Sequence, residues 1–282
     1  MELLFEIIKF IFYTAIIIAI AKYILVNLLR NFAESLNLKP KIIGNIAGIA
    51  TSIPELLTIS LASITGLAYT GIYNVISSNI INLILYIIST IYNKNIKILR
   101  NKAIKMDLIL VIFTIFIPIF IINMNLEKDL SIIPIFILLF ILFYFINHRT
   151  HNYYLKNYEK VIENNILEEE KYKKNKTNLI IKYSIYILIV GILLFFVGNL
   201  LSDTLEKLCN KFNIKESFIG IILGFATSIP ELITFFESQK YNKNSNNDLL
   251  GVVESTNNLL TSNILNLFII QSIGILLLKI FQ

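Results

Sequence analysis

The sequence predicts an all-α membrane protein, in which a polytopic bundle of transmembrane helices is built on an inverted-topology repeat. Three observations lead to this fold class. Hydrophobic residues make up 56% of the chain and the mean hydropathy is +0.71, both above the usual values for a soluble domain. Apolar runs of about twenty residues, enough for a helix to cross the hydrocarbon of a bilayer, recur along the whole length. One short motif occurs twice.

Eight apolar runs predict eight transmembrane spans. Their approximate limits are 5–27, 42–66, 71–92, 107–124, 131–147, 179–201, 217–237 and 249–275. A polar stretch at 148–178, dense in Lys, Glu, Asn and Tyr, is too hydrophilic to cross a bilayer and separates five spans from three. It predicts a linker between a first half at 1–147, whose repeat motif occupies 42–92, and a second half at 179–282, whose motif occupies 217–275.

The distribution of positive charge predicts the orientation. Loops on the side of 148–178 carry seventeen Lys and Arg residues, and the opposite loops carry five. Positive residues favour the cytoplasmic side of a membrane. We therefore expect a multi-pass protein of the cell membrane, with the linker in the cytoplasm and both termini outside the cell. These loops explain the net charge of +6, and we expect the lipid bilayer rather than nucleic acid as the partner.

Composition and motifs argue against several other classes of protein. The single Cys209 predicts no internal disulfide. The sequence contains no HExxH, no nucleophile elbow and no P-loop, so we expect neither an enzyme nor a bound cofactor. The N-terminal sequence MELLFE has no basic segment before the first apolar run, which argues against a cleaved signal peptide.

Two blocks of sequence recur in the same order. GNIAGIATSIPELLT at 44–58 matches GIILGFATSIPELIT at 220–234, with ATSIPEL identical in both. YNVISSNIINL at 73–83 matches NNLLTSNILNL at 257–267. The predicted spans bring the two copies into the membrane from opposite sides. This is the inverted repeat of many secondary transporters, whose binding site lies near the bilayer midplane where the copies meet.

The first block contains the groups of an ion site. Pro54 has no N–H and its ring prevents the regular helical bond to the Ala50 carbonyl, which is thereby released. Glu55 lies one turn from Thr51 and Ser52, so a carboxylate, hydroxyl groups and a free carbonyl can converge on one face. The second copy repeats the set in Ala226, Thr227, Ser228, Pro230 and Glu231.

Amide oxygens from the second block complete the predicted site. Asn79 and Asn263 occupy matching positions and are expected to reach the same centre. Every group in the set is an oxygen ligand, the type that Ca²⁺ and Na⁺ prefer, and a glutamate inside a membrane is by default a functional residue. Two identical copies therefore favour a cation site over a helix kink with a satisfied carboxylate.

The two blocks resemble those of the calcium/cation antiporter superfamily, the sodium/calcium exchangers, whose repeats carry a G-[TA]-S-[LI]-P-E and a G-N-x-x-G-S-N block. The resemblance implies an antiporter that exchanges Ca²⁺ or a related cation for Na⁺ or H⁺ by alternating access, with spans one and six moving against a fixed core. It implies ion-coordinating roles for Thr51, Ser52, Glu55, Asn79, Thr227, Ser228, Glu231 and Asn263.

Three departures from the family pattern have consequences. Ser77 and Thr261 replace the glycine of G-S-N, which is expected to crowd a closely packed helix face. Asn79 and Asn263 are both neutral where some relatives have Asp, so the two glutamates give the site a formal charge of −2, enough for one Ca²⁺ or two monovalent ions. The family usually has ten spans, so a homodimer or a partner subunit is expected to cover the place of the last two helices. The alternative function is a non-transporting cation sensor, or a subunit of a membrane assembly that keeps the exchanger site.

Several polar residues outside the motif have more than one interpretation. Glu254 on the eighth span is either a third acidic ligand or a residue in a wet vestibule. Asn74 and Asn258 match each other and can equally bond a neighbouring helix or an ion. His148 and His151 are expected on the surface of the polar linker.

Overall fold

The chain is built of helices, and no β-strand occurs in the residues that the computed structural model describes, which are 2–25, 27–28, 31–32, 40–126, 129–154, 176–244 and 248–281. The α-helices are α1 (Glu2–Ile20), α2 (Pro40–Thr51), α3 (Ile53–Ile64), α4 (Ala68–Tyr92), α5 (Lys102–Asn123), α6 (Ile132–Tyr154), α7 (Lys176–Glu206), α8 (Glu216–Thr227), α9 (Ile229–Asn244), α10 (Asp248–Ile264) and α11 (Gln271–Phe281). π-helical turns at Ala21–Leu25 and Lys207–Lys211 extend α1 and α7, and a third at Leu265–Ile270 joins α10 to α11.

Eight helical segments of the described chain are long and apolar enough to cross a membrane. They run over Glu2–Leu25, Ile42–Ile64, Ala68–Tyr92, Lys102–Asn123, Ile132–Tyr154, Leu179–Lys211, Glu216–Lys240 and Leu249–Phe281. Their number and order confirm the predicted all-α bundle of eight spans. Large apolar side chains on the outward faces, such as Leu138 and Leu188, are more than half exposed and match the apolar character of lipid tails.

The fifth span is longer than the sequence predicted. α6 continues to Tyr154, past the predicted limit near residue 147, so the first residues of the predicted linker are helical. His148 on this extension is exposed, as expected. The remaining part of the predicted linker, residues 155–175, lies outside the described residues.

The expectation that His151 lies on the surface was wrong. Its side chain is fully buried, and its Nε2 atom lies 2.7 Å from Asp107 Oδ2 on α5. The physical reason is that His151 follows Asn147 by one helical turn, and both side chains lie on the face of α6 that contacts Asp107.

The identical ATSIPEL segments interrupt two of the spanning helices. α2 ends at Thr51 and α3 begins at Ile53, and in the same way α8 ends at Thr227 and α9 begins at Ile229. Pro54 stands in the first turn of α3, where the missing N–H of a proline costs no helical hydrogen bond. The interruption therefore lets a span contain a proline and a glutamate while helix continues on both sides.

Close helix crossings interlock the two halves. α2 packs against α10 and α8 packs against α4, so the interrupted helix of each half lies on the second-block helix of the other. A Cβ atom at Gly48 would lie 2.8 Å from the Asn258 carbonyl oxygen, and one at Gly224 would lie 2.6 Å from the Asn74 carbonyl oxygen. Because these pairs occupy equivalent positions in the two repeats, the crossings follow the twofold relation that the sequence predicts.

The same glycines relieve the crowding expected at Ser77 and Thr261. A Cβ atom at Gly48 would lie 2.9 Å from Thr261 Cβ, and Ser77 Oγ occupies the space where a Cβ at Gly224 would stand. The larger residues of the second blocks therefore lie opposite glycines of the first blocks, and the helices still approach closely.

Two apolar clusters pack around the crossings. The larger one includes Tyr86, Phe235 and Phe268, and the rings of Tyr86 and Phe235 meet edge to face. The second cluster joins α1 to α7, with Phe10 and Leu201 among its buried members, and it includes side chains of α3 and α8. The pair formed by α1 and α7 thus packs against the interrupted helices through its own cluster.

Candidate cation site

Two buried glutamates lie at the interruptions of the repeat helices. Glu55 is the third residue of α3 and Glu231 is the third residue of α9, and neither side chain is exposed. Their carboxylates interact electrostatically with each other, so the two copies of the motif meet inside the bundle. Because ionised carboxylates are costly within a membrane, this pair requires cations or protons nearby. We refer to this region as the Glu55–Glu231 centre.

Each glutamate faces a threonine of the opposite repeat. Glu55 lies beside Thr227, and Glu231 lies beside Thr51. The Thr227 hydroxyl donates a hydrogen bond to the Leu223 carbonyl oxygen at 2.9 Å. The lone pairs of the hydroxyl oxygen therefore remain available to a cation. The Thr51 hydroxyl also donates within its own helix. This crossed arrangement brings predicted residues of both repeats to one place.

Serine hydroxyls connect the repeats beside Glu231. Ser52 Oγ lies 3.0 Å from Ser262 Oγ, and Ser262 donates to Glu231 Oε1 at 3.1 Å. Ser228, the equivalent of Ser52, lies 3.5 Å from the Ser78 carbonyl oxygen. Neither Ser78 nor Ser262 was expected at the site from the sequence, although the two occupy matching positions in the second blocks.

Asn79 and Asn263 hold the second-block helices together. The Nδ2 atom of Asn79 donates to the Asn263 carbonyl at 3.3 Å, and that of Asn263 donates to the Asn79 carbonyl at 3.1 Å. Their side-chain oxygens accept hydrogen bonds from Asn266 and Asn82, at 3.4 Å and 3.1 Å respectively. Both ends of each amide therefore bond protein groups, and a role as ion ligands stays a prediction.

Asn82 and Asn266 form a second matched pair of amides, which was not expected at the site from the sequence. Their Nδ2 atoms make the bonds just described, whereas their Oδ1 atoms are buried and have no hydrogen-bond partner within the described residues. The signal was present in the sequence, because both follow Asn79 and Asn263 by three residues in the repeated blocks. The geometry thus favours Asn82 and Asn266 as cation ligands through their amide oxygens.

Asn74 and Asn258 add a further matched pair. Asn74 donates to Thr58 Oγ1 at 2.8 Å, and Asn258 donates to Thr234 Oγ1 at 2.5 Å. Their amide nitrogens therefore bond a neighbouring helix, which is one of the two interpretations left open by the sequence. Their Oδ1 atoms are buried without a partner in the part of the chain described.

The backbone at the interruptions adds potential carbonyl ligands. Pro54 and Pro230 supply no N–H group four residues after Ala50 and Ala226, so these two carbonyls lack their regular helical donors. Both alanines precede the threonines that face the glutamates. Their predicted role as ligands is compatible with this placement and stays a prediction.

The orphaned oxygens describe what the centre can bind. Seven buried side-chain oxygens in and beside it have no hydrogen-bond donor among the described residues: Glu55 Oε1 and Oε2, Glu231 Oε2, and Oδ1 of Asn74, Asn82, Asn258 and Asn266. Each such atom costs about 1–3 kcal/mol when nothing compensates it. A set made only of oxygens, with two carboxylates, fits hard cations such as Ca²⁺ and Na⁺.

Glu254 lies apart from this centre. It is buried on α10, and its Oε1 atom accepts a hydrogen bond from Ser238 on α9 at 2.7 Å. Eight residues separate it from Ser262, which corresponds to about 12 Å along a helix. The structure therefore does not bring Glu254 together with Glu55 and Glu231.

Comparison with solved structures finds this fold in a known exchanger. The sodium-calcium exchanger NCX_Mj soaked with 2.5 mM Na⁺ and 10 mM Sr²⁺ is 22% identical, with a TM-score of 0.54 over 98% of this chain and 83% of that chain. The same exchanger soaked with 10 mM Na⁺ and 10 mM Sr²⁺ gives a TM-score of 0.52 at 22% identity and equal coverage. At this level of identity, the likeness shows the fold. A comparison with curated protein sequences finds no match.

A family model covers most of the chain. The model described as sodium/calcium exchanger protein matches residues 6–147 and 182–281. These ranges include both copies of the repeat and the greater part of all eight spans. The chain is a multi-pass membrane protein that belongs to the sodium/calcium exchanger family, a family of cation antiporters.

Proposed function

We propose that this chain is a secondary antiporter that exchanges Ca²⁺, or a related divalent cation, for Na⁺ or H⁺ at the Glu55–Glu231 centre. The observation that carries the proposal is the set of buried oxygens without donors that two equivalent repeats contribute. A bound cation would satisfy several of these atoms at once. The proposed ligands combine the motif residues with the amides of the second block: Ala50, Thr51, Ser52, Glu55, Asn82, Ala226, Thr227, Ser228, Glu231 and Asn266.

The charge of the centre supports exchange between divalent and monovalent ions. Glu55 and Glu231 together contribute −2 when ionised. One Ca²⁺, two Na⁺ ions or two protons would each neutralise this charge. Any of these sets can then replace another without leaving net charge in a region of low dielectric, where an unpaired ion is expensive.

The solved relative supports divalent cations as cargo. NCX_Mj is described as showing extracellular ion exchange and induced binding-site occlusion, in the presence of Na⁺ and Sr²⁺. Sr²⁺ is a divalent cation of the same group as Ca²⁺. By this likeness we assign the same class of ion to the present chain.

Alternating access requires a part of the protein that moves relative to the centre. α1 packs along α7, and Glu6 on α1 lies 3.7 Å from Lys207, at the end of α7. A second ion pair joins Glu2 to Lys211. Because these contacts tie the two helices to each other, α1 and α7 are suited to move as one unit across the interrupted helices. The excess of Lys and Arg on the side of residues 148–178 supports a cytoplasmic linker and external termini.

The direct test is flux of labelled Ca²⁺ into sealed vesicles that contain the purified chain. A Na⁺ gradient and a pH gradient are imposed separately, so the gradient that drives uptake identifies the counter-ion. Uptake in response to either gradient is the expected result. Thermal stabilisation by Ca²⁺ without any gradient-driven flux would contradict antiport and would indicate a non-transporting cation sensor instead.

Glu55→Gln and Glu231→Gln test the site itself. Each variant keeps the side-chain shape and one oxygen but removes a charge, so a bound divalent cation is left with an uncompensated positive charge. Two unit charges 4 Å apart interact by about 4 kcal/mol at an effective dielectric of ~20. A loss of about 3 kcal/mol weakens binding more than a hundredfold. We therefore expect each variant to lose both Ca²⁺-dependent flux and Ca²⁺-dependent stabilisation.

Glu237→Gln is the matched control, because Glu237 is exposed on α9 and lies two turns beyond Glu231. It makes the same chemical change as the test variants but should leave Ca²⁺ binding unchanged. Normal Ca²⁺ affinity in a folded Glu55→Gln or Glu231→Gln protein would refute the assignment of the site.

A further inference from the structure

A second buried polar cluster, formed by residues outside the proposed ligand set, lies between α5, α6 and α10. His151 Nε2 lies 2.7 Å from Asp107 Oδ2, and Asn147 Nδ2 donates to Asp107 Oδ1 at 2.8 Å. Asn147 Nδ2 also lies 3.4 Å from Asn257 Oδ1 on α10. The side chains of Asp107 and His151 are both fully buried.

This cluster does not follow the twofold symmetry of the cation site. In the sequence, α5 and α6 follow the first copy of the repeat and precede the second. The described helices of the second half contain no equivalent of them. The symmetry that accounts for the paired ligands therefore does not account for Asp107 and His151. An acidic and a basic side chain within a membrane protein are costly to bury and indicate a function.

The pair has one ring nitrogen left to bind a proton. When a single proton is shared between Asp107 and His151 Nε2, the pair carries a net charge of −1. His151 Nδ1 is buried and has no hydrogen-bond partner among the described residues. A proton added at Nδ1 produces an imidazolium–carboxylate pair without net charge, and a low-dielectric interior favours such a pair over a lone buried anion.

The titratable and charged groups on the neighbouring elements are occupied or exposed, which makes the Asp107–His151 pair the local proton acceptor. From α4, the Tyr86 hydroxyl faces Asp107 and shares a hydrogen bond of 2.7 Å with Thr256. The turn at Leu265–Ile270, which contacts α6, contributes no titratable side chain. The charged residues on the neighbouring elements are exposed or bonded elsewhere: Arg100 before α5, Lys102 and Lys105 on α5, Arg149 on α6, and Glu254, which accepts from Ser238, on α10.

We propose that Asp107 and His151 form a proton-binding site separate from the cation site, and that its occupancy is transmitted to α10 through the contact between Asn147 and Asn257. α10 also carries Ser262, which donates to Glu231. A shift of α10 therefore changes the groups at the cation site. This second step rests on the proposed function, whereas proton binding by the pair does not.

Proton binding is tested by ¹⁵N NMR of histidine-labelled protein in lipid nanodiscs. The chain has two histidines, and His148→Gln removes the exposed one, so that a single imidazole is observed. We expect its ring nitrogens to change protonation as the pH is varied, and the midpoint of the change to differ in Asp107→Asn. An imidazole that keeps one protonation state over the whole pH range in which the protein stays folded would overturn the proposal, whether or not Asp107→Asn folds.

Transmission to α10 is tested by the Ca²⁺ affinity at one pH below and one pH above the midpoint found by NMR, measured from thermal stabilisation. His151→Gln removes the proton acceptor, and His148→Gln is the matched control from the same helix. We expect the ratio of the two affinities to differ about fivefold or more between the parent and His151→Gln, the size of a typical coupling between sites. The control should keep the parental ratio.

Equal ratios in the parent and in His151→Gln would overturn the transmission step. A parent that binds no Ca²⁺ at either pH would overturn the proposed function together with the transmission step. The proton site would then stand or fall with the NMR titration alone, so the two failures can be distinguished.

Discussion

Alanine at Gly48 or at Gly224 is expected to push the two repeats apart, because each glycine lies where a helix of the other half crosses. At Gly48 the added Cβ would lie 2.8 Å from the Asn258 carbonyl oxygen and 3.1 Å from a backbone nitrogen. At Gly224 it would lie 2.6 Å from the Asn74 carbonyl oxygen and 2.8 Å from a backbone nitrogen. Backbone atoms cannot rotate away as the end of a side chain can, so the helices themselves must move.

The size of the effect follows from these distances. Restoring an ordinary contact of about 3.5 Å requires a separation of the helices by roughly 1 Å. Overpacking of this kind costs about 1–3 kcal/mol, and the better helix propensity of alanine returns at most about 1 kcal/mol. We expect a net loss of about 1–2 kcal/mol. Since the displaced helices also carry Asn82 on α4 and Ser262, the donor to Glu231, on α10, Ca²⁺ affinity should fall together with stability.

The assay is thermal unfolding of the purified variants in detergent, with and without Ca²⁺. Gly191→Ala is the matched control, because Gly191 is exposed on α7 and a Cβ there would have no atom within 4 Å. The control should be as stable as the parent, and Gly48→Ala and Gly224→Ala should both melt at lower temperature. If both test variants melt at the same temperature as the parent, the close crossing of the repeat helices at these glycines is wrong.

Other expectations concern ligands and topology. Asn82→Ala should weaken Ca²⁺ binding about tenfold or more and leave the melting temperature near that of the parent. Asn79→Ala should mainly lower the melting temperature. The reverse pattern would indicate that Asn79, and not Asn82, is the ligand. Glu254→Gln should leave Ca²⁺ affinity within about twofold, since the glutamine oxygen can still accept from its neighbour, and a large loss would identify a third acidic ligand. For topology, cysteines are placed singly at Glu2 and at Lys160 after the native cysteine is replaced. In intact cells the first should react with an impermeant reagent and the second should be protected, and the opposite result would reverse the orientation.

Local sequence patterns could predict the spans because the thickness of a bilayer fixes the length of an apolar helix. The ends of spans depend on partners elsewhere in the chain, and for this reason the expected surface position of His151 was wrong. The polar run that begins at His148 indicated a linker, yet α6 continues to Tyr154. The buried acceptor that makes His151 compatible with this helix is Asp107, on a different helix and 44 residues away in sequence. Nothing within the polar run itself carries that information.

The sequence could not distinguish Asn79 from Asn82 as the source of an amide oxygen for the ion. Three residues in a helix turn through about 300°, so both side chains lie on nearly the same face and both recur in the second copy. Which amide oxygen is left for an ion depends on the hydrogen-bond donors of the opposing helix. Asn79 Oδ1 accepts from Asn266, whereas Asn82 Oδ1 has no donor among the described residues. That difference arises only when α4 and α10 are brought together.

The spacing of the repeats explains how two diverged halves keep one symmetric centre. The first blocks are 176 residues apart and the second blocks 184. Part of the difference lies in α9, which has 16 residues where its counterpart α3 has 12. One residue inserted within a block would rotate the following side chains by about 100° around the helix, which would turn Glu231 or Asn266 away from its partners at a high cost in a membrane. The same residue added at the far end of α9 leaves every ligand in register. The centre therefore constrains the sequence within the blocks and leaves the length between them free to change.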